Sequence, residues 1–309
     1  MANQKTEGLI AAPVAAYNQD GTVNLDIIPA QAASLHANGV VGAFVNGTTG
    51  EGFSLAVEER KAIAERWVEA APDGFKVIIH VAHTSAPATW EMASHAATIG
   101  ASGIAEMAPL FFKPQSIEAL VANSARTAAK ADGLPYYYYH MPAMSGVNLP
   151  MIDFLKAAAP VIPNLRGIKY THTDLMDFAL CLEFEAGKYD ILYGRDETLL
   201  CAFALGCRGA VGSTYNVMAP LYNQIISAFN AGDITEARRL QNISMKVIQL
   251  LVGTGNFFSA LKEAMKMVGL DTGGVRPPLE NNPPEINARL RNDLFKLDFS
   301  DFCSKMPAD

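Results

Sequence analysis

Short apolar runs of four to seven residues alternate along this chain with longer stretches in which apolar positions recur every three or four residues. The first kind reads as strand, the second as amphipathic helix. Strands are predicted at 8–12, 42–46, 76–82, 103–108, 135–140, 167–170, 190–193 and 209–212. Helices are predicted between them at 29–37, 55–70, 87–99, 117–131, 151–158, 174–185, 197–205 and 220–230. Most of the strands lack strict polar–apolar alternation, so both faces should be covered, as in a parallel sheet with crossover helices. Eight such units over residues 1–232 predict an α/β protein built as a closed (β/α)8 TIM barrel. An open doubly wound sheet would have fewer strands and a G-x-G-x-x-G turn after the first, which is missing here. Residues 233–309 show only helical patterns, at 234–252, 257–268 and 284–294, and are expected to form an appended C-terminal three-helix region. Ser54 is expected to cap the helix that starts at Leu55, with Glu58 and Glu59 in its first turn.

Composition narrows the function classes. Half of the 309 residues are hydrophobic, enough for a large core, and a net charge of -7 without clusters of Lys and Arg argues against nucleic acid or an anionic membrane as partner. Cys181, Cys201, Cys207 and Cys303 form no C-x-x-C pair. Met1 to Gln4 lead into a strand pattern without a basic segment before an apolar run, and no uncharged run reaches spanning length. A cytoplasmic protein is expected.

In a barrel of this type, chemistry sits at the carboxyl ends of the strands. Gly47-Thr48-Thr49-Gly50-Glu51 follows the second strand, Tyr139 and His140 end the fifth, Lys169 and Thr171 end the sixth, Gly194-Arg195-Asp196-Glu197 follow the seventh, and Ser213 follows the eighth. Lys169 is the most informative of these, because burial disfavours an ammonium group and a neutral amine is a nucleophile. The plain alternative is a lysine that snorkels to solvent. Thr48 and Thr49 suit an anion cradle, yet also suit a helix cap. Tyr139 could relay a proton beside an iminium, although alternation puts Tyr137 on the same side and four tyrosines in a row also suit a core. Asp196 and Glu197 could accept hydrogen bonds from sugar hydroxyls or merely favour a helix N-terminus. His80 and His83 form no metal-binding spacing and read as structural or as supports behind the reacting groups. Lysine, phenol and hydroxyl-rich loop together point to carbonyl chemistry through a Schiff base, which needs neither metal nor cofactor because the protonated imine is the electron sink.

Gly47-Thr48-Thr49-Gly50-Glu51, Tyr139-His140-Met141-Pro142-Ala143 and Gly167-Ile168-Lys169 resemble the signatures of the pyruvate-dependent class I aldolase family, which contains dihydrodipicolinate synthase and N-acetylneuraminate lyase. Gly194-Arg195-Asp196-Glu197 and Gly212-Ser213-Thr214-Tyr215-Asn216 are similar to the sialic acid lyase branch. The resemblance implies a barrel with three C-terminal helices, a homotetramer, and cleavage of N-acetylneuraminate to N-acetylmannosamine and pyruvate. It also implies Lys169 as the Schiff-base lysine, Tyr139 as the proton-transfer phenol, Thr48 and Thr49 as the carboxylate cradle, and Thr171, Gly194, Asp196, Glu197 and Ser213 as binders of the polyhydroxyl tail. Two positions depart from the synthase pattern. Ala143 follows the tyrosine motif where synthases usually carry arginine, and Leu110-Phe111-Phe112 stands where they commonly place a tyrosine that serves a neighbouring subunit. Other 2-keto acid aldolases, a synthase-like enzyme and a non-catalytic sugar-acid-binding protein are the alternative readings.

Overall fold

In the structure, a computed structural model that describes residues 5–307, eight strands run parallel and close in sequence order, β8 pairing back onto β1. They are β1 (Gly8–Ala11), β2 (Val40–Val45), β3 (Lys76–His80), β4 (Gly103–Met107), β5 (Tyr136–His140), β6 (Leu165–Tyr170), β7 (Asp190–Tyr193) and β8 (Gly209–Gly212). Around them lie α1 (Ile28–Ala37), α2 (Val57–Ala70), α3 (Ala86–Thr98), α4 (Ile117–Ala128), a single turn α5 (Pro142–Ser145), α6 (Met151–Ala158), α7 (Leu175–Gly187), α8 (Leu199–Ala204) and α9 (Tyr215–Asn230). Three further helices follow, α10 (Ile234–Val252), α11 (Phe257–Met267) and α12 (Pro284–Phe295). The barrel is therefore the (β/α)8 TIM barrel that the hydrophobic pattern predicts. Among the described residues no helix is long and apolar enough to cross a membrane.

Strand alternation divides the core into two layers. Ile10, Phe44, Ile78, Met107, Tyr137, Tyr139, Leu192 and Val211 fill the barrel interior, while the intervening residues pack outward under the helices. The tyrosine run splits accordingly, with Tyr136 and Tyr138 in the outer layer. Gly167 lets β6 and β7 approach: a Cβ there would lie 1.8 Å from the backbone oxygen of Asp190.

Ser54 does not cap α2. It closes a short 3-10 turn, Gly52–Ser54, and the helix begins at Val57. Glu51 adopts a left-handed backbone (φ 50), which carries the chain through that extra turn. Glu59 Oε2 instead accepts the N–H of Ala56 at 2.8 Å. The C-terminal helices lie outside the barrel, α10 running along α9 and α11 packing against α10 and α12. Pro220 lies inside α9, which starts at Tyr215 and bends at Met218.

Candidate active site

The register of the sheet sets Tyr139 of β5 directly beside Lys169 of β6, and Lys169 beside Leu192 of β7. Lys169 and Tyr139 therefore point the same way, into the barrel near its carboxyl end. Lys169 is 3% exposed, with Nζ 3.8 Å from the centre of the Phe44 ring and 4.0 Å from that of Tyr139. Burial lowers its pKa from 10.5 to about 7, and the negative charge of Asp196 opposes the fall. The lysine does not snorkel to solvent.

Tyr139 is buried too, which pushes its pKa up to about 12, moderated by nearby hydroxyls. Its OH lies 3.2 Å from Thr48 Oγ1 and donates to Met141 Sδ at 2.9 Å. Thr171 Oγ1 is near enough to lower the phenol's pKa, but its geometry makes no hydrogen bond, so it keeps its capacity for another partner. The phenol is protonated at neutral pH and can pass a proton on only as it accepts one.

Thr49 Oγ1 and Ser213 Oγ meet at 2.7 Å, joining the loops after β2 and β8. Asp196 is buried, and its Oδ2 accepts both the N–H and the hydroxyl of Thr214, at 2.8 and 2.7 Å. Burial raises its pKa from 3.8 to about 6. One carboxylate oxygen is thus committed to the protein. Gly194 brings its backbone against Thr171, where a Cβ would lie 1.9 Å from Oγ1. Glu197 has a side chain 35% exposed and pairs with Arg195 at 2.5 Å, while its charge helps to raise the pKa of Asp196. Of the nine predicted site residues, Thr49, Tyr139, Lys169 and Asp196 are buried, while Thr48, Thr171, Gly194, Glu197 and Ser213 are half-buried.

Other residues of the mouth escaped the sequence reading. Phe44 supplies an aromatic wall, Met141 meets the phenol, and His80 stands 5.7 Å from the Tyr139 ring, centre to centre. The glycine loop is tied down from outside the barrel. Glu51 Oε1 pairs with Lys262 of α11 at 2.7 Å, both side chains fully buried, while Oε2 accepts the N–H of Arg276 at 2.8 Å. The one signal for Lys262 was a lysine falling on the apolar stripe of a helix pattern. Among the described residues, no group of three or more His, Cys, Asp or Glu could hold a metal ion. A cavity of about 510 Å³ opens at the opposite end of the barrel, lined by Lys76, Tyr137, Arg166 and Tyr189 among others. It contains neither Lys169 nor Tyr139 nor any of the hydroxyl groups around them, and chemistry marks the other end of the barrel as the site. A half-neutral amine, a proton donor beside it and a set of hydroxyls at one mouth suit imine chemistry on a 2-keto acid.

Residues 5–296 match the sequence model of the Dihydrodipicolinate synthetase family. The chain belongs to that family. N-acetylneuraminate lyase from Mus musculus is 39% identical over 300 residues, 96% of this chain and 94% of that protein. Among solved structures, N-acetylneuraminate lyase from Proteus mirabilis superposes with a TM-score of 0.93 at 42% identity, covering 96% of this chain and all of that one. A catalytic-lysine mutant of the Ruminococcus gnavus sialic acid aldolase superposes with a TM-score of 0.89 at 28% identity, covering 96% and 97%. Family membership and the closed eight-strand barrel agree with each other.

Proposed function

We propose that this chain is an N-acetylneuraminate lyase, a class I aldolase that reversibly cleaves N-acetylneuraminate to N-acetylmannosamine and pyruvate. The observation that carries this reading is the buried amine of Lys169, brought to a pKa of about 7 against the Tyr139 ring. The open-chain substrate lays its carboxylate on the Thr48–Thr49 loop, and the neutral Lys169 amine attacks the C2 ketone. Loss of water gives the iminium. The C3–C4 bond then breaks, its electron pair flowing toward the iminium nitrogen, while the C4 hydroxyl proton is relayed through the Tyr139 phenol. N-acetylmannosamine departs, the enamine takes a proton at C3, and hydrolysis releases pyruvate. Thr171, the backbone at Gly194, Asp196, Glu197 and Ser213 hold the polyhydroxyl tail.

The names of the relatives support the substrate, and Ala143 in place of arginine weighs against a synthase. Location in the cytoplasm and assembly as a homotetramer belong to the same reading. Phe111 and Phe112, 79% and 86% exposed after β4, support a contact with another subunit. Light scattering that reads a monomer at working concentration would remove that part. The substrate is tested by pyruvate release from N-acetylneuraminate, set against 2-keto-3-deoxy sugar acids and aspartate semialdehyde. The lyase reading expects N-acetylneuraminate to give the highest kcat/KM, and a higher value for any of the others overturns it.

A further inference from the structure

The reaction above leaves one buried imidazole beside the reacting groups without a part. His80 ends β3 and shares its inward face with Ile78, so the ring stands in the wall of the barrel mouth. Its centre is 6.0 Å from that of Phe44, 5.7 Å from Phe53 and 5.7 Å from Tyr139, and the residue is 1% exposed. Nδ1 lies 3.0 Å from the backbone oxygen of Asn46. A carbonyl can only accept, so Nδ1 carries the hydrogen and Nε2 keeps its lone pair. Among the described residues no protein group donates to that buried Nε2.

The backbone that carries the ring is tied down. The backbone oxygen of His80 accepts Nη2 of Arg60 at 2.6 Å, and Asn46 Nδ2 reaches the backbone oxygen of Arg60 at 2.8 Å. Burial, the Arg60 guanidinium and the Lys169 amine all hold the imidazole's pKa well below its usual range. It is therefore a standing acceptor and a poor base. A histidine used only for packing among three aromatic rings would gain nothing from a buried lone pair left without a donor, which burial penalises.

We propose that His80 Nε2 accepts a hydrogen bond from the water that leaves C2 as the Lys169 imine forms and returns to C2 when that imine is hydrolysed. The inference rests on the Schiff-base reading and names a positioning residue within it. In hydrolysis the water oxygen bonds to C2 while the C=N π pair moves to nitrogen. Both water hydrogens end on that nitrogen, relayed by Tyr139, and the C–N bond breaks with its pair on nitrogen. The products are pyruvate, whose ketone oxygen came from the water, and a protonated Lys169. His80 orients the water throughout and takes no proton.

Loss of label from pyruvate carrying 18O at C2 counts each expulsion and return of this water, once the uncatalysed exchange is subtracted. His80→Phe keeps the packing and removes the acceptor, whereas His80→Gln places an amide oxygen near the position of Nε2. The expected result is exchange at least tenfold slower in His80→Phe and largely restored in His80→Gln. The fraction of enzyme trapped by borohydride at equilibrium with pyruvate, and the midpoint of the exchange against pH, should stay as in wild type. Wild-type exchange in His80→Phe overturns the proposal. Equal impairment of both variants with a reduced trapped fraction also overturns it, because that pattern marks a structural role. His80→Leu serves the same comparison if phenylalanine does not fold. A wild-type protein that borohydride cannot trap at all would overturn the Schiff-base reading instead.

Discussion

The side chains of the mouth owe their reactivity to what surrounds them. Burial, opposed in part by the negative charge of Asp196, takes Lys169 down to about 7. Imine formation needs the neutral amine, so the rate should rise as pH climbs through that value. Asp196→Asn removes the charge that favours the ammonium, and the acid limb of the pH profile of pyruvate release should move to lower pH. A limb that stays put or moves upward contradicts the assignment. Tyr139→Phe should slow turnover roughly a hundredfold while leaving Lys169 open to trapping, as a lost proton relay does; single-turnover kinetics check both halves. Lys169 was legible because an ionisable group closed an apolar strand. Choosing Tyr139 over Tyr137 depended on position along the strand: both face inward, but Tyr137 lies toward the base of the barrel and donates to Asp190 at 3.0 Å. His80 was legible only as structural or as a support behind the reacting groups, because a lone histidine in a strand gives no sign of which nitrogen lacks a partner.

Between strand and helix lies Glu106 of β4, buried and accepting from Asn123 and Thr127 of α4 and from Tyr136 of β5. Burial raises its pKa from 4.5 to about 7. A carboxyl whose pKa folding raises holds its proton more tightly in the folded state, so its contribution is full below the ordinary carboxyl range. That contribution is lost as pH rises through about 7. Urea unfolding between pH 5 and 8 should show wild type losing on the order of 3 kcal/mol from this group, with Glu106→Gln flattening the trend. A variant whose pH dependence equals that of wild type would contradict the account. At this scale the sequence was informative wherever an apolar run or a helical period was unbroken. It misplaced the start of α2, because the left-handed turn at Glu51 is fixed by contacts from the far end of the chain.

Those contacts join the molecule's two ends. Lys262 reaches Glu51 from α11, and Arg276 pairs with Glu59 at 2.6 Å while its backbone N–H serves Glu51. The C-terminal helices thus hold the glycine loop that presents Thr48 and Thr49. Replacing Lys262 by Met leaves a buried carboxylate unbalanced, at a cost of about 3–5 kcal/mol. Denaturant unfolding should show that loss, and pyruvate capture should weaken with it; unchanged stability would mean that the tail does not brace the mouth. The barrel could be read from periodicity, but this brace could not, since an ion pair spanning more than two hundred residues leaves no local pattern.

Reductive trapping bears most directly on the central claim. The protein is treated with borohydride in the presence of pyruvate, digested, and its lysines surveyed by mass spectrometry. The account predicts one pyruvate-derived adduct, on Lys169, absent when Lys169 is replaced by Arg. An adduct on another lysine, or none on the wild-type protein, would contradict it.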